Sequence, residues 1–103
     1  MERTAPEACT TMVDVRRGVD ALDREIVGLL AERFRYMDAA ARIKPEREAV
    51  RDEARKAEVL RNVAAHAREE GAPEAAIAAL YDRLIEASIA YEFDRFDALR
   101  ADG

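Results

Sequence analysis

Two cations interrupt the apolar face of the first long helix that the sequence predicts. Arg33 stands where the pattern requires an apolar residue, and Lys44 follows 11 residues later. At about 100° per residue, the two positions lie within about 20° of the same direction and about 16 Å apart along the axis. Long cationic side chains at this spacing can lean towards each other and hold the two ends of a small anion.

A serine and a glutamate share the apolar face of the last predicted helix. Ser88 and Glu92 are four residues apart, among Ile85, Ile89 and Phe96, so they lie one above the other. A carboxyl group on such a face is removed from water, which favours its neutral form. The pattern therefore predicts a protonated carboxyl that can donate a hydrogen bond.

Simpler roles stay open for these residues. Arg33 can extend to solvent or form a salt bridge, and Glu92 can pair with Arg33 or Lys44 in a buried ion network. His66 and Cys9 have no neighbours at the spacing of a metal site or an activated nucleophile, so we interpret both as structural.

Three helices must position these side chains. We expect them at residues 11–44, 52–70 and 73–99, with a loop at 45–51 and a flexible segment at 1–10. Thr11 gives a helix start signal and Pro45 a stop, while Gly71 and Pro73 separate the second helix from the third. The first helix is longer than the diameter of a domain of this size, so another chain must cover part of its apolar face.

Composition limits the fold and the partners. The 103 residues are 50% hydrophobic and 38% charged, with four glycines and three prolines, which predicts one all-α domain. A net charge of −5, without a basic face, argues against nucleic acid as a partner. The single cysteine cannot close an intrachain disulfide, and we find neither a signal-peptide pattern nor a long apolar run. We therefore expect a cytoplasmic protein that does not contact a membrane.

The sequence resembles the all-helical chorismate mutases from about Pro6 to Phe96. The resemblance is carried by the stretches DVRRGVDALDREIVGLLAERFRYMDAAARIK, VRDEARKAEVL and LIEASIAYEF. The beginning, PEACTTMVDVR, looks most like the subgroup that contains isochorismate pyruvate lyase. The resemblance implies an intertwined helical homodimer of the chorismate mutase II type, with three helices per chain and no metal or organic cofactor.

The resemblance also implies a set of site residues. Matched position by position, the family's polar site residues fall on Arg16, Arg33, Lys44, Asp52, Arg55, Ser88 and Glu92. Two positions depart from the bacterial mutases: Glu92 replaces a glutamine, as in the fungal enzymes, and Lys56 replaces a glutamate. Because Arg16 and Arg33 are about 25 Å apart on one helix, Arg16 must come from the partner chain if both bind one substrate.

The implied reaction is the rearrangement of the dicarboxylate chorismate to prephenate. It is a single pericyclic step, so catalysis consists of holding a folded conformer and stabilising charge on the breaking ether oxygen. Arg33 and Arg16 would bind the carboxylates, while Lys44 and protonated Glu92 would donate to the ether oxygen. Two alternatives stay open: isochorismate pyruvate lyase, which forms salicylate and pyruvate, and a helical dimerisation or regulatory module without activity.

Overall fold

The computed structural model describes residues 3–101 and is helical throughout. Its helices are α1 (Met12–Ile43), α2 (Glu53–Glu70) and α3 (Glu74–Arg100), with short 3-10 turns at Pro6–Ala8 and Arg47–Ala49. Within the described residues there is no strand. The prediction of an all-α fold with three helices is confirmed. In this part of the chain, no helix is both long and apolar enough to cross a bilayer.

Local side-chain and backbone hydrogen bonds define the helix ends. The Thr11 hydroxyl accepts from the Asp14 backbone N–H at 3.2 Å, and Asp14 accepts in turn from the Thr10 N–H at 3.2 Å. The backbone hydrogen bond from Thr10 lowers the pKa of Asp14. At the other end, the Lys44 N–H still donates to the Ala40 carbonyl at 2.9 Å, and Pro45 follows.

The turn between α2 and α3 is closed by Gly71. Gly71 has a φ of 71°, in the left-handed region, and its N–H donates to the carbonyls of Ala67 and Arg68. The Ala72 N–H donates back to Ala67 at 2.8 Å, which completes a Schellman-type helix end. A side chain at position 71 would strain this backbone, so glycine is required there.

The chain forms two compact units that divide within α1, between Arg35 and Tyr36. The unit from Tyr36 onward has a core of Ala41, Val50 and Phe96, against which Ile89 and Phe93 pack. Helices α2 and α3 pack directly against each other in this unit.

The other unit consists of the N-terminal segment and the first part of α1. The segment expected to be flexible, 1–10, has more local structure than predicted over its described part: Pro6–Ala8 forms a 3-10 turn, and Arg3 pairs with Glu25 at 3.2 Å. Residues 1 and 2 lie outside the described residues. On α1 itself the apolar stripe is solvent-exposed within the single chain, at Val15, Val19, Leu22, Ile26 and Leu29.

The connection between α1 and α2 is fixed to α3. Arg47 forms a two-point ion pair with Asp97, at 2.9 and 3.2 Å, and its guanidinium group lies 4.5 Å from the centre of the Phe93 ring. The hydrogen bond from Arg47 lowers the pKa of Asp97. Val50, only 4% exposed, anchors the end of the same segment in the core.

An ion network joins the beginning of α2 to the middle of α3. Glu86 accepts from Arg51 Nη2 at 2.7 Å and from Lys56 Nζ at 2.8 Å, and Lys56 also pairs with Asp82 at 3.0 Å. The hydrogen bonds from Arg51 and then Lys56 lower the pKa of Glu86 to about 2.

Replacing Glu86 with glutamine should make the chain's stability less sensitive to acid. The depressed pKa means that the ionised carboxylate stabilises the fold fully above its ordinary pKa of 4.5, and that this contribution is lost as the pH falls towards about 2. The ion network around Glu86 is partly exposed, so screening by solvent reduces its contribution to stability. We expect the urea concentration at half unfolding, measured at one protein concentration, to fall less between neutral and acidic pH in Glu86→Gln than in wild type.

The matched control is Glu58→Gln, because the ion pair of Glu58 with Arg55 stays within α2. This variant should keep the acid sensitivity of the wild type. Equal acid sensitivity in Glu86→Gln and wild type would contradict a stabilising role for the network.

Candidate active site

A lysine and a glutamate meet in the unit that begins at Tyr36. Lys44 directly follows α1, and Glu92 lies in the second half of α3. Lys44 Nζ is 2.7 Å from Glu92 Oε2, and Glu92 is only 4% exposed. The sequence left open whether Glu92 pairs with Arg33 or with Lys44. The structure shows the pairing with Lys44.

The contact is an ion pair without the alignment of a hydrogen bond. Glu92 Oε2 is buried and accepts no well-aligned hydrogen bond from any group in residues 3–101, although the Lys44 ammonium group is so close. Buried polar atoms in proteins nearly always have a hydrogen-bond partner. This oxygen can therefore accept a hydrogen bond from a donor that the described chain does not supply.

Ser88 lies one helical turn before Glu92. The residue is 3% exposed, and its hydroxyl donates to the Leu84 carbonyl at 2.7 Å. Ile85 and Phe96 are buried on the same side of α3. A hydroxyl and a carboxyl group thus share one otherwise apolar face.

A second polar cluster ties α3 to the last part of α1. Asp38 Oδ1 accepts from the Tyr91 hydroxyl at 2.7 Å and from Arg95 Nε at 3.1 Å. The hydrogen bond to Asp38 raises the pKa of Tyr91, and burial acts in the same direction. The sequence pattern did not predict this cluster. Its one signal was the four-residue spacing of Tyr91 and Arg95, which does not identify the acid on the facing helix.

The two arginines predicted to bind carboxylates lie in the unit that ends at Arg35. Arg33 is half-buried, and Arg16 is exposed near the beginning of α1. Both belong to one continuous helix of 32 residues, so they are about 25 Å apart along its axis. The structure does not bring them together within one chain.

Asp52 and Arg55 make local contacts at the beginning of α2. The Asp52 carboxylate is the N-cap of the helix and accepts from the Arg55 backbone N–H at 3.0 Å. The Arg55 guanidinium group donates to Glu58 at 2.6 Å, one turn along the same helix. Both residues are exposed.

Lys56, the second departure from the bacterial mutases, belongs to the network between α2 and α3. Its side chain is 19% exposed and pairs with Asp82 and Glu86. The hydrogen bonds that Lys56 donates, first to Glu86 and then to Asp82, raise its pKa. The ammonium group therefore neutralises carboxylates of α3 and cannot accept a hydrogen bond from a substrate hydroxyl.

The described side chains offer no ready metal centre. Within residues 3–101, no three or more histidine, cysteine, aspartate or glutamate side chains are grouped so that they could hold a metal ion. The polar groups of the site are an ammonium group, a carboxyl group and a hydroxyl group. Such groups can bind and polarise an organic anion.

Comparison with known proteins agrees with the resemblance found in the sequence. The sequence model of the family described as chorismate mutase type II matches residues 15–93, which span both compact units. The chain is also 34% identical, over 85 residues, to a protein from Pseudomonas aeruginosa named isochorismate pyruvate lyase. That alignment covers 82% of this chain and 84% of the relative. On these matches, the chain belongs to the chorismate mutase type II family.

Proposed function

We propose that this chain is a chorismate mutase that rearranges chorismate to prephenate. The observation that carries the proposal is the contact between the Lys44 ammonium group, on a side chain that is 29% exposed, and the buried carboxyl group of Glu92, on the face of α3 that also holds Ser88. The family assignment supports an enzyme with a chorismate-like substrate. An ammonium group beside a buried carboxyl group suits a reaction in which charge develops on an ether oxygen.

Lys44 is the proposed main donor to that oxygen. A lysine ammonium group has three donors, so it can stay near Glu92 while it donates a hydrogen bond to the substrate. The charge is worth more in a site that excludes water than at the surface. Glu92 is the proposed second donor, in its protonated form.

The remaining proposed contacts hold the substrate in its folded conformer. Arg33 and Arg16 of a second copy of the chain bind the two carboxylates, since guanidinium groups pair with carboxylates at two points. The other proposed contacts are Asp52, Arg55 and Ser88. No cofactor takes part in this scheme, because a pericyclic step needs no proton carrier, nucleophile or redox group. We place the reaction in the cytoplasm, which stays a prediction.

A second copy of the chain is part of the proposal because of α1. Its exposed stripe includes Val19, Leu22 and Ile26, which are 48%, 41% and 49% exposed. Contiguous apolar surface of this kind marks an interaction site. A homodimer would cover the stripe and supply Arg16 to the site of the partner, which gives two equivalent sites related by two-fold symmetry.

Replacing Leu22 with glutamate should therefore dissociate the dimer. A charge at the centre of the buried stripe would lose its hydration without a partner. We expect sedimentation to show a dimer for the wild type and a smaller species for Leu22→Glu at the same concentration. Val13→Glu is the control, since Val13 is 59% exposed and lies about 160° away from the stripe. A wild-type protein that sediments as a stable monomer would contradict the two-chain site.

Removing either proposed cation should impair chorismate turnover, each in a different kinetic constant. Loss of one charge-stabilising donor costs about 10² to 10³ in kcat in comparable sites, so we expect this loss for Lys44→Ala. Arg33→Ala should chiefly raise KM, because a carboxylate contact is lost. Prephenate formation measures both effects. The control is Arg35→Ala, which removes an exposed cation two residues further along α1.

The pH dependence tests the second donor. If protonated Glu92 donates to the ether oxygen, kcat should fall as the pH is raised, because the ionised carboxylate repels that oxygen. Glutamine keeps a donor at every pH, so Glu92→Gln should flatten this decline. A variant profile that declines as steeply as that of the wild type would remove Glu92 from the mechanism and leave Lys44 as the donor.

The isochorismate pyruvate lyase reaction is the main alternative. It is favoured by the Pseudomonas aeruginosa relative of that name and by the residues that open the chain. Assays with chorismate alone and with isochorismate alone distinguish the two activities. Fluorescent salicylate from isochorismate, with no prephenate from chorismate, would replace our proposal with the lyase.

A non-catalytic dimerisation or regulatory module is the second alternative. Against it stands the buried charge of Glu92, since a helical packing module has no need of a charge that costs free energy to bury. This alternative would prevail if wild type and Arg33→Ala were equally inert towards both substrates.

A further inference from the structure

Arg100, the last residue of α3, binds the carboxyl-terminal end of α1. Its Nη1 donates to the Ala41 carbonyl at 3.0 Å, and its Nη2 donates to the Lys44 carbonyl at 2.9 Å. The last four carbonyls of a helix have no partner within the helix. The guanidinium group therefore satisfies acceptors at the point where Lys44 leaves α1.

The guanidinium group is itself held in place. It lies 3.5 Å from the centre of the Phe96 ring, and its Nη1 also donates to the Phe96 carbonyl at 3.3 Å. Phe96 is a core residue that is only 6% exposed. The stacking fixes the plane of the guanidinium group, so its two donors reach two carbonyls at a fixed spacing.

Both ends of Lys44 are thus in contact with α3. The backbone carbonyl accepts from Arg100, while the ammonium group lies against Glu92. Because Lys44 lies between the end of α1 and Pro45, its backbone belongs to a helix end, which frays readily. Arg100 supplies the contact between helices that counters this fraying.

We propose that Arg100 is a positioning residue, which fixes the end of α1 and so directs Lys44 to the reacting atoms. The inference rests on the proposed function, in which Lys44 donates to the ether oxygen. Arg100 needs no contact with substrate, because its effect passes through the Lys44 backbone. A misplacement of about 1 Å in a catalytic group can cost 10²-fold in rate.

The structural test is hydrogen exchange in the Arg100→Ala variant. The Lys44 N–H donates to Ala40, so its exchange reports the last turn of α1 directly. We expect exchange at Lys44 to rise by about tenfold, as for the loss of a hydrogen bond to a charged group, while core amides at Val63 and Ile85 keep their wild-type rates. Unchanged exchange at Lys44 would overturn the proposal, whatever the activity of the chain.

The functional test is a double-mutant cycle with Lys44. We expect Arg100→Ala to lower kcat by about 10- to 100-fold with a smaller change in KM. In a Lys44→Gln background, the same substitution should change kcat less than about twofold, because its effect depends on the lysine. Equal losses in both backgrounds would show a general structural role and overturn the proposal. Arg100→Lys keeps the charge without the planar fork, so it should rescue kcat only in part.

Arg83→Ala is the matched control, since Arg83 is an exposed arginine of the same helix. It should keep the wild-type kcat and the wild-type exchange at Lys44. If wild type converts neither chorismate nor isochorismate, the proposed function fails, and exchange at Lys44 still decides whether Arg100 holds the end of α1.

Discussion

The ion pair between Lys44 and the buried Glu92 is the constraint on which the rest of the candidate site depends. Taking a carboxylate out of water costs several kcal/mol, and the attraction of a nearby cation offsets this cost only at short range. The 2.7 Å separation meets that condition. An apolar pair would fill the same space without this cost, so packing alone does not account for the buried carboxyl group of Glu92.

The surrounding structure keeps this separation fixed from several sides. Ala41, Val50 and Phe96 form the core beside it, which joins the end of α1 to α3. The cluster of Asp38 and Tyr91 adds a polar contact between the same two helices. The geometry of a charged pair thus depends on neutral neighbours.

The helices followed from local signals in the sequence, whereas the pairing of side chains did not. Thr11, Pro45 and Gly71 mark helix ends because each acts on the backbone next to it. The partners of Lys56 depend on how α2 is rotated against α3, which no local pattern determines. No pattern in the sequence singles out Arg100. Its partners are backbone carbonyls, which every residue has, so a pattern of side chains cannot predict these contacts.

The tight turn at Gly71 has a consequence for the order in which the molecule assembles. Helices α2 and α3 follow each other directly along the chain, so the contacts between them join residues of low sequence separation. Contacts of this kind form quickly during folding. The partner of Glu92 lies 48 residues away, at the end of a different helix. A nascent hairpin therefore carries its carboxylate in water, and dehydration of that group is a late event in folding.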